Sequence, residues 1–243
     1  MGGFHPGDED LPRIVIVTGA TGHLGTAVCK ALLADGETIV GVYRRDESLS
    51  GFRESVGAIV EKAVLEKADV SKPGDMERVV TNVVQHFGRI DILVNTVGGY
   101  MTAPVPDISV DAFDRAMDLN LKSAFLSCKA VLPAMRSQGR GKIVNVASRA
   151  GFRGEKDQFL YAASKAGVLR LTESLSEETK DFGIQVNAVV PKIMDTPENR
   201  AMMPKAKWDR WPSAEDIARV IRWLCSAESD VVTGAAIPVY GRA

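Results

Sequence analysis

The sequence predicts an α/β fold in which one parallel, doubly wound sheet is covered by helices on both faces. Short apolar runs, suited to buried strands, alternate along the chain with segments whose apolar residues recur at the helical period. This alternation is typical of βαβ units, which build parallel sheets. The 243 residues, 45% of them hydrophobic, suit one such domain, which can reach roughly 250 residues. We therefore predict a single domain at 13–243.

In the first half of the chain, each predicted strand is an apolar run bounded by turn residues. The predicted elements are strands at 14–17, 38–43, about 64–68 and 90–94, and helices at 24–33 and 73–87. Asp35-Gly36 stops the first helix, and Pro73 suits the first turn of the second. Residues 51–70 have no clear period outside their predicted strand.

The second half continues the pattern with longer helices. The predicted elements are a helix at about 110–135, a strand at 142–146, a helix at 159–180, a strand at 184–190, a helix at 214–227 and a strand at 235–240. Pro133 is expected near the end of the first of these helices, and Gly183 closes the second. Residues 191–212, rich in Pro, Met and Trp, are predicted to be irregular.

Composition excludes several classes of function. The net charge is −1, and no run of like charge suggests a nucleic-acid-binding surface. No apolar run approaches the roughly 20 residues that cross a bilayer, so no membrane partner is predicted. Residues 1–12 lack a targeting pattern and are predicted to be a flexible N-terminal tail. Cys29, Cys128 and Cys225 lack metal-ligand spacing, so we predict no metal site and a cytoplasmic protein with reduced thiols.

A glycine-rich loop, Thr18-Gly-Ala-Thr-Gly-His-Leu-Gly25, joins the first strand to the first helix. Glycines in that position permit a tight turn, close approach of a pyrophosphate and close helix packing, and the helix N-terminus attracts phosphate. The order of strand, loop and helix predicts a Rossmann-type dinucleotide-binding site. A purely structural turn in another α/β protein is the alternative.

The end of the second strand bears on the choice of cofactor. A carboxylate there would accept hydrogen bonds from a ribose 2′-hydroxyl and favour NAD. This chain has Tyr43-Arg44-Arg45 instead, and the next acid is Asp46. Two guanidinium groups suit a 2′-phosphate. We therefore predict NADP(H) as the favoured cofactor and NAD(H) as the alternative, in which case Arg44 and Arg45 are only solvated loop charges.

Tyr161 and Lys165 form an i,i+4 pair on one face of the helix predicted at 159–180. A free tyrosine titrates near pH ~10, so an acid/base role at neutral pH requires stabilisation of its anion by roughly 3 pKa units, about 4 kcal/mol. A neighbouring cation and a desolvated pocket could supply much of this energy. The spacing therefore suits a catalytic pair, although any helix can carry a Tyr and a Lys in this arrangement.

These motifs occur in an order shared with a known family. They are Thr18–Gly25, Asp69-Val70, Asn95-Thr-Val-Gly98, Asn120, Ser148, Tyr161-x-x-x-Lys165, and Pro191 with Thr196. In this combination the sequence resembles the short-chain dehydrogenase/reductase family, in its form of roughly 250 residues. The resemblance covers about 13–242 of the chain.

The resemblance implies a role for each motif. Tyr161 would be the acid/base, Ser148 would bond the substrate oxygen, and Lys165 would lower the Tyr161 pKa and hold the nicotinamide ribose. Asn120 would anchor a water connected to Lys165. The implied cofactor-binding residues are Gly19, Thr21, Gly22, His23, Leu24, Gly25, Tyr43, Arg44, Arg45, Asp69, Val70, Asn95, Thr96, Val97, Gly98, Tyr161, Lys165, Pro191, Ile193 and Thr196. A proton donor is needed because hydride transfer to a carbonyl creates an alkoxide.

Three positions depart from the family pattern. The middle glycine of the loop, Gly22, comes one residue earlier than in the commonest spacing. His23 therefore stands at the helix N-terminus, where it either donates to a phosphate or faces solvent. Thr96-Val97 replaces the usual Asn-Ala, and Lys192 follows the proline where glycine is usual.

The segment at 191–212 is similar to the corresponding stretch of dihydropteridine reductases, where it would be a substrate lid. The shared frame is Asp195-Thr-Pro-x-Asn-Arg-x-x-Met-Pro204, followed by a tryptophan and a proline, and Gly98-Gly99-Tyr100 is also similar. Ser148 and Arg44-Arg45 oppose a simple transfer of that activity, because those reductases lack the serine and prefer NADH. Four lid side chains suit either a wall for a flat ring or an anchor against the core: Met202, Met203, Trp208 and Trp211.

The sequence thus predicts an enzyme that transfers a hydride between a nicotinamide and a carbonyl or hydroxyl group of a small molecule. Reduction of a quinonoid dihydropterin is one alternative, and epimerase or dehydratase chemistry with a retained cofactor is another. A third is an NADP-binding sensor without chemistry, which would not need the complete Ser148, Tyr161 and Lys165 set. The family commonly forms dimers or tetramers, so the resemblance implies a homodimer or homotetramer built through the two long helices and the last strand.

Overall fold

A seven-stranded parallel sheet forms the centre of the computed structural model, which describes residues 11–243. Within those residues the strands are β1 (Ile14–Thr18), β2 (Thr38–Tyr43), β3 (Ala63–Lys67), β4 (Ile92–Asn95), β5 (Gly141–Val146), β6 (Ile184–Pro191) and β7 (Ala236–Val239). Their order across the sheet is β3-β2-β1-β4-β5-β6-β7. The predicted α/β fold class, with one doubly wound parallel sheet, is confirmed. Most of the predicted tail at 1–12 lies outside the described residues.

Helices cover both faces of this sheet. On one face α1 (His23–Ala34) packs against α8 (Ala214–Cys225), and on the other α3 (Asp75–Phe87) packs against α5 (Ser123–Gln138). The other helices in the described residues are α2 (Leu49–Val56), α4 (Val110–Met117), α6 (Phe159–Thr179) and α7 (Pro197–Met202). None of the helices within 11–243 has both the length and the apolarity required to cross a membrane.

The central strands are apolar because helices cover both of their faces. Every residue of β1 and of β4 is buried, and each fully buried Val, Leu or Ile contributes about 1.5–3 kcal/mol to stability. β1 lies between β2 and β4, so the strand order reverses at β1. Such a reversal opens a crevice at the carboxyl ends of the strands, where α/β proteins bind ligands.

The long helix predicted at 110–135 contains a π-helical turn at Asp118–Lys122, between α4 and α5. Asn120 lies in this turn and is buried. The helix ends at Gln138, three residues later than predicted, because Gly139 adopts φ 68° and terminates it in the left-handed conformation. Pro133 therefore lies inside α5 rather than near its end.

Two short helices fall outside the sequence-based predictions. α2 buries only Phe52 and Val56, so its helical period is too weak to recognise. α7 interrupts the lid segment predicted to be irregular, and it is started by Thr196 as the N-cap and Pro197 at its first position. Pro73 also differs from prediction, because it precedes α3 and does not enter its first turn.

Candidate active site

The loop between β1 and α1 is compact because its glycines permit close contacts. Gly19 has φ +68°, a conformation that favours glycine. A Cβ on Gly25 would lie 2.1 Å from the Gly19 carbonyl oxygen, so only glycine allows helix and loop to pack this closely. No described side chain caps the N-terminus of α1, and a helix N-terminus attracts anions. Because Gly19 and Gly22 also line the neighbouring cleft, the loop fits a cofactor diphosphate.

Two residues of this loop make contacts that the sequence does not predict. His23 Nε2 lies 3.1 Å from Glu198 Oε2, so the start of α1 is paired with the lid helix α7. The His23 side chain is 53% exposed, so it faces solvent, one of the two positions expected for it, while pairing with Glu198. The Leu24 side chain is buried in the core, 8% exposed, so only its backbone is placed to meet a cofactor.

A cleft beside the glycine loop gathers most of the residues predicted to bind the adenosine half of the cofactor. The predicted residues in its lining are Gly19, Thr21, Gly22, Tyr43, Arg44, Arg45, Asp69, Val70, Thr96, Val97 and Gly98. The predicted residues outside that lining are His23, Leu24, Gly25, Asn95, Tyr161, Lys165, Pro191, Ile193 and Thr196. Lining residues missed by the sequence analysis are Val42, Ser48, Ala68, Ser71 and Leu119.

The charges at the end of β2 favour an anion. Arg44 Nη1 lies 3.9 Å from Asp69 Oδ2. Burial alone would raise the pKa of Asp69, but hydrogen bonds from Ser71 and the charge of Arg44 bring that pKa below its ordinary value. Asp46, the next acid after β2, is paired with Lys67 and so is not placed to receive a ribose hydroxyl. Arg44 and Arg45 therefore face the cleft, and Asp69 is the carboxylate that lies beside Arg44.

Ser48 is a missed residue that links two parts of this cleft. Its Oγ is hydrogen-bonded to the Arg45 carbonyl oxygen at 2.6 Å and to Thr21 Oγ1 at 2.8 Å. The glycine loop is thereby joined to the segment after β2. Ser48 also stands at the N-cap position of α2, so recognition of that helix would have drawn attention to it.

A buried row of polar side chains runs beneath the crevice. Thr18 Oγ1 donates to Asn95 Oδ1 at 3.3 Å, and Asn95 Nδ2 donates to Asn145 Oδ1 at 2.9 Å. Asn145 Nδ2 in turn donates to Thr172 Oγ1 at 3.0 Å, so the row joins β1, β4, β5 and α6. The expectation that Asn95 lines the cofactor floor needs correction, because its side chain is 4% exposed and supports the floor from below.

Gly98 brings Asn120 and Lys165 close to the floor of the crevice. A Cβ on Gly98 would lie 2.8 Å from Asn120 Oδ1 and 3.0 Å from Lys165 Nζ, so a larger residue would displace one of them. Asn120 Oδ1 accepts from Gly99 N at 2.9 Å, and its Nδ2 donates to Gly99 O at 3.0 Å. The Asn120 amide therefore holds the floor loop, while its implied role as a water anchor stays a prediction.

Ser148, Tyr161 and Lys165 come together beyond the end of β5. The Ser148 side chain lies beside the Tyr161 phenol, close enough to act on its pKa. The Lys165 ammonium lies 6.0 Å from the centre of the Tyr161 ring and donates to the Val146 carbonyl oxygen at 2.8 Å. Ser148 and Lys165 are both buried. The three side chains predicted to act together thus share one site.

The electrostatics of this site differ from one expectation. Burial raises the pKa of Tyr161, and the Ser148 side chain offsets only part of that rise. Burial lowers the pKa of Lys165 to about 8. The expected lowering of the Tyr161 pKa is not observed, because the phenol is desolvated and the ammonium is bonded to the Val146 carbonyl. The phenol therefore carries its proton at neutral pH, and its surroundings as a whole do not increase its acidity.

The lid segment that follows β6 carries its own internal contacts. Thr196 Oγ1 accepts from Asn199 N at 3.2 Å, so this residue is buried as the cap of α7. Trp208 Nε1 donates to Met203 O at 2.9 Å, and the Arg200 guanidinium lies 5.3 Å from the Trp208 ring centre. These contacts hold Trp208 within the lid itself, so both uses considered for the lid tryptophans stay predictions.

Comparisons with known proteins converge on one kind of protein. The family described as short chain dehydrogenase matches residues 13–207. The 3-oxoacyl-[acyl-carrier-protein] reductase of Thermotoga maritima is 32% identical over 94% of this chain and 96% of its own length. The 2-(R)-hydroxypropyl-CoM dehydrogenase of Xanthobacter autotrophicus is 32% identical over 95% of this chain and 98% of its own. The crystal structure of levodione reductase, 31% identical, superposes with a TM-score of 0.86 and covers 94% of this chain and 96% of that one.

Proposed function

This chain belongs to the short-chain dehydrogenase family, and from that premise we propose that it transfers a hydride between NADP(H) and a carbonyl or hydroxyl substrate, with Tyr161 as the acid/base. The family's reductases and dehydrogenases act on such groups with a nicotinamide cofactor. The observation that carries the proposal is that Ser148, Tyr161 and the buried Lys165 meet beyond the end of β5.

The proposed reaction divides the work between the cofactor and the side chains. When bound, NADPH supplies the hydride. A carbonyl oxygen within hydrogen-bond reach of Tyr161 and Ser148 becomes negatively charged as the hydride arrives. Tyr161 donates its proton to that oxygen and Ser148 shares the charge. Lys165, which faces Gly98, would bond the ribose hydroxyls. Burial keeps Tyr161 in its protonated form, which is the form that can donate to the substrate oxygen.

The relatives support the type of reaction without selecting a substrate, because their names refer to different compounds. The proposal is tested by an NADPH-oxidation screen over aldehydes, ketones, quinones, β-ketoacyl thioesters and quinonoid dihydropterin. We expect at least one of these classes to oxidise NADPH. Absence of oxidation with every class would contradict the proposal and favour a sensor. Conversion of a compound without net cofactor turnover would instead indicate an epimerase or dehydratase.

The proposed preference for NADP(H) rests on the end of β2. Arg44 and Arg45 line the cleft there, and Ser48 adds a hydroxyl. Of the nearby carboxylates, Asp46 is paired with Lys67, and Asp69 is bonded to Ser71 and lies 3.9 Å from Arg44. A 2′-phosphate would gain charge-assisted hydrogen bonds from the guanidinium groups, whereas a 2′-hydroxyl would find no dedicated acceptor.

Replacing Arg44 with alanine is expected to weaken NADPH binding by about 10-fold or more, because a hydrogen bond to a charged group is worth about 1.5–3 kcal/mol. NADH binding should change by less than about 3-fold, since NADH lacks the 2′-phosphate. The two dissociation constants are measured by fluorescence titration. Arg53→Ala, an exposed arginine on α2 outside the cleft lining, is the control. A preference of the unmodified protein for NADH would contradict the assignment.

We also propose that the chain forms a homodimer or homotetramer through the face built by α4 and α6. Phe113 on α4 and Phe159 on α6 stack with ring centres 6.4 Å apart, yet they are 38% and 46% exposed. Val110 on the same edge of α4 is 75% exposed. Large apolar side chains in contact with solvent support burial against another copy of the chain.

The buried free thiols of the three cysteines support the predicted cytoplasmic location.

Sedimentation equilibrium of the intact protein is expected to give twice or four times the chain mass of 26.2 kDa. Phe113→Asp should lower that mass, because a carboxylate would have to be desolvated in the apolar contact. Phe182→Asp, an exposed aromatic residue beyond the far end of α6, should leave the mass unchanged. A monomeric mass for the unmodified protein would contradict the proposed assembly.

A further inference from the structure

Tyr100, just beyond the crevice floor, packs against the proposed proton donor. Its ring meets the Tyr161 ring edge to face, with centres 5.0 Å apart and planes at 77°. Tyr100 is nevertheless 53% exposed. One part of the Tyr100 ring thus packs on Tyr161, and the rest is open to solvent.

The backbone leading to Tyr100 is held firmly. Both polar groups of Gly99 are bonded by the Asn120 side chain, at 2.9 Å and 3.0 Å. A Cβ on Gly99 would lie 2.7 Å from a methyl group of Leu119, so the loop is also packed tightly against the π-helical turn. Three residues further on, Ala103 N donates to Asp157 O at 2.9 Å. Tyr100 therefore projects from a loop anchored on both sides.

The other aromatic candidates for contact with a substrate are differently placed. The Trp208 ring has the Arg200 guanidinium above it, and its Nε1 is bonded within the lid. No such contact covers the exposed part of Tyr100 among the described residues. Tyr100 is therefore the aromatic ring that lies directly against the acid.

We propose that Tyr100 is a specificity-determining residue whose exposed ring contacts the substrate and selects ketones in which the carbonyl belongs to, or is conjugated with, a flat ring. This inference rests on the proposed function of the same site. A carbonyl bonded by Tyr161 and Ser148 must place its substituents beside Tyr100, because the two tyrosine rings are in contact. A flat rigid substituent packs on an aromatic ring and orders few torsions, whereas a flexible chain loses more conformational freedom.

The proposal is tested with NADPH and two ketones, 1-tetralone and 2-octanone, in Tyr100→Ala and Tyr100→Phe. In Tyr100→Ala the KM for 1-tetralone is expected to rise about 10-fold, with a smaller change in kcat, since one lost apolar contact in a pocket costs about 10-fold or more. The KM for 2-octanone should rise much less. Tyr100→Phe keeps the ring and should retain the preference. Equal losses for both ketones, or an unchanged preference in Tyr100→Ala, would overturn the proposal.

A binding measurement separates this inference from the proposed function. Calorimetric titration of 1-tetralone into the NADP⁺ complex needs no turnover and should show at least about 10-fold weaker binding to Tyr100→Ala than to the unmodified protein. If 1-tetralone binds in this Tyr100-dependent way but is never reduced, the hydride-transfer proposal fails and the role of Tyr100 stands. If 1-tetralone does not bind, or binds Tyr100→Ala equally well, the role of Tyr100 is wrong even if other ketones are reduced.

Discussion

Replacing Tyr161 with phenylalanine is expected to reduce kcat by about 10³-fold, because a positioned general acid contributes about 10² to 10⁴ to a rate. NADPH binding should remain within about 3-fold of that of the unmodified protein, since the ring and its packing against Tyr100 are kept. The change removes one oxygen atom, and with it the proton that the proposed reaction needs. Steady-state NADPH oxidation with any substrate found in the screen, together with NADPH titration, measures both quantities.

Tyr240→Phe is the matched control for this experiment. It deletes the same atom from a partly buried tyrosine just beyond β7, outside the proposed site, and should leave kcat unchanged. A Tyr161→Phe variant that turned over at the unmodified rate would remove the acid/base assignment. A variant that lost NADPH binding as well as turnover would show that Tyr161 is needed chiefly for cofactor binding.

Replacing Lys165 with methionine is expected to reduce activity while stabilising the fold. Lys165 is 4% exposed, and burial lowers its pKa from 10.5 to about 8. This lowering of the pKa means that the buried charged ammonium destabilises the folded state by roughly 3 kcal/mol at neutral pH. Loss of the hydrogen bond to Val146 O costs about 1 kcal/mol, so the variant should be more stable by about 2 kcal/mol at pH 7. Its kcat/KM should fall about 10- to 100-fold, because one charge-assisted hydrogen bond to the ribose is lost.

The predicted difference in stability between Lys165→Met and the unmodified protein depends on pH. The folded chain releases the Lys165 proton near pH 8 and the unfolded chain near 10.5. Between these values the unfolded state binds more protons, so rising pH stabilises the unmodified protein relative to Lys165→Met. The difference in unfolding free energy should therefore be largest below pH 8 and shrink toward pH 10.5. Urea unfolding at several pH values measures it.

Lys122→Met provides the comparison for this stability measurement. Lys122 is partly exposed and pairs with Asp118 one turn away, an arrangement worth only about 0.3–0.5 kcal/mol. Its replacement should move the unfolding free energy by no more than that amount. Suppose that Lys165→Met were less stable than the unmodified protein at pH 7, or that the difference in unfolding free energy did not vary with pH. Either result would refute the claim that the buried Lys165 charge destabilises the folded state.

The fold could be predicted because both faces of the sheet are covered. Strands such as Ile14–Thr18 then read as unbroken apolar runs, and the intervening helices show their own period. α2 was missed because a helix that buries two residues leaves almost no pattern. The π-helical turn at Asp118–Lys122 has no sequence signal, since the residues on both sides are ordinary helix formers.

The sequence predicts which residues come together in the site, but it does not predict where each side chain points. Asn95 and Thr96 are neighbours in one motif, yet the first is buried beneath the floor and the second lines the cleft. A strand alternates its side chains between two faces, so this outcome depends on where the strand ends. The direction of the Tyr161 pKa also required coordinates, because it depends on burial as well as on the nearby cation.

The buried row from Thr18 to Thr172 has a consequence for how the site keeps its dimensions. Thr18 opens the glycine loop, and Thr172 lies on α6 two helical turns after Lys165, so the hydrogen-bonded row connects the glycine loop to the helix that carries Tyr161. The distance between the glycine loop and Tyr161 is therefore set by buried hydrogen bonds that solvent does not contact. Surface loops can vary to suit new substrates while that internal spacing is preserved.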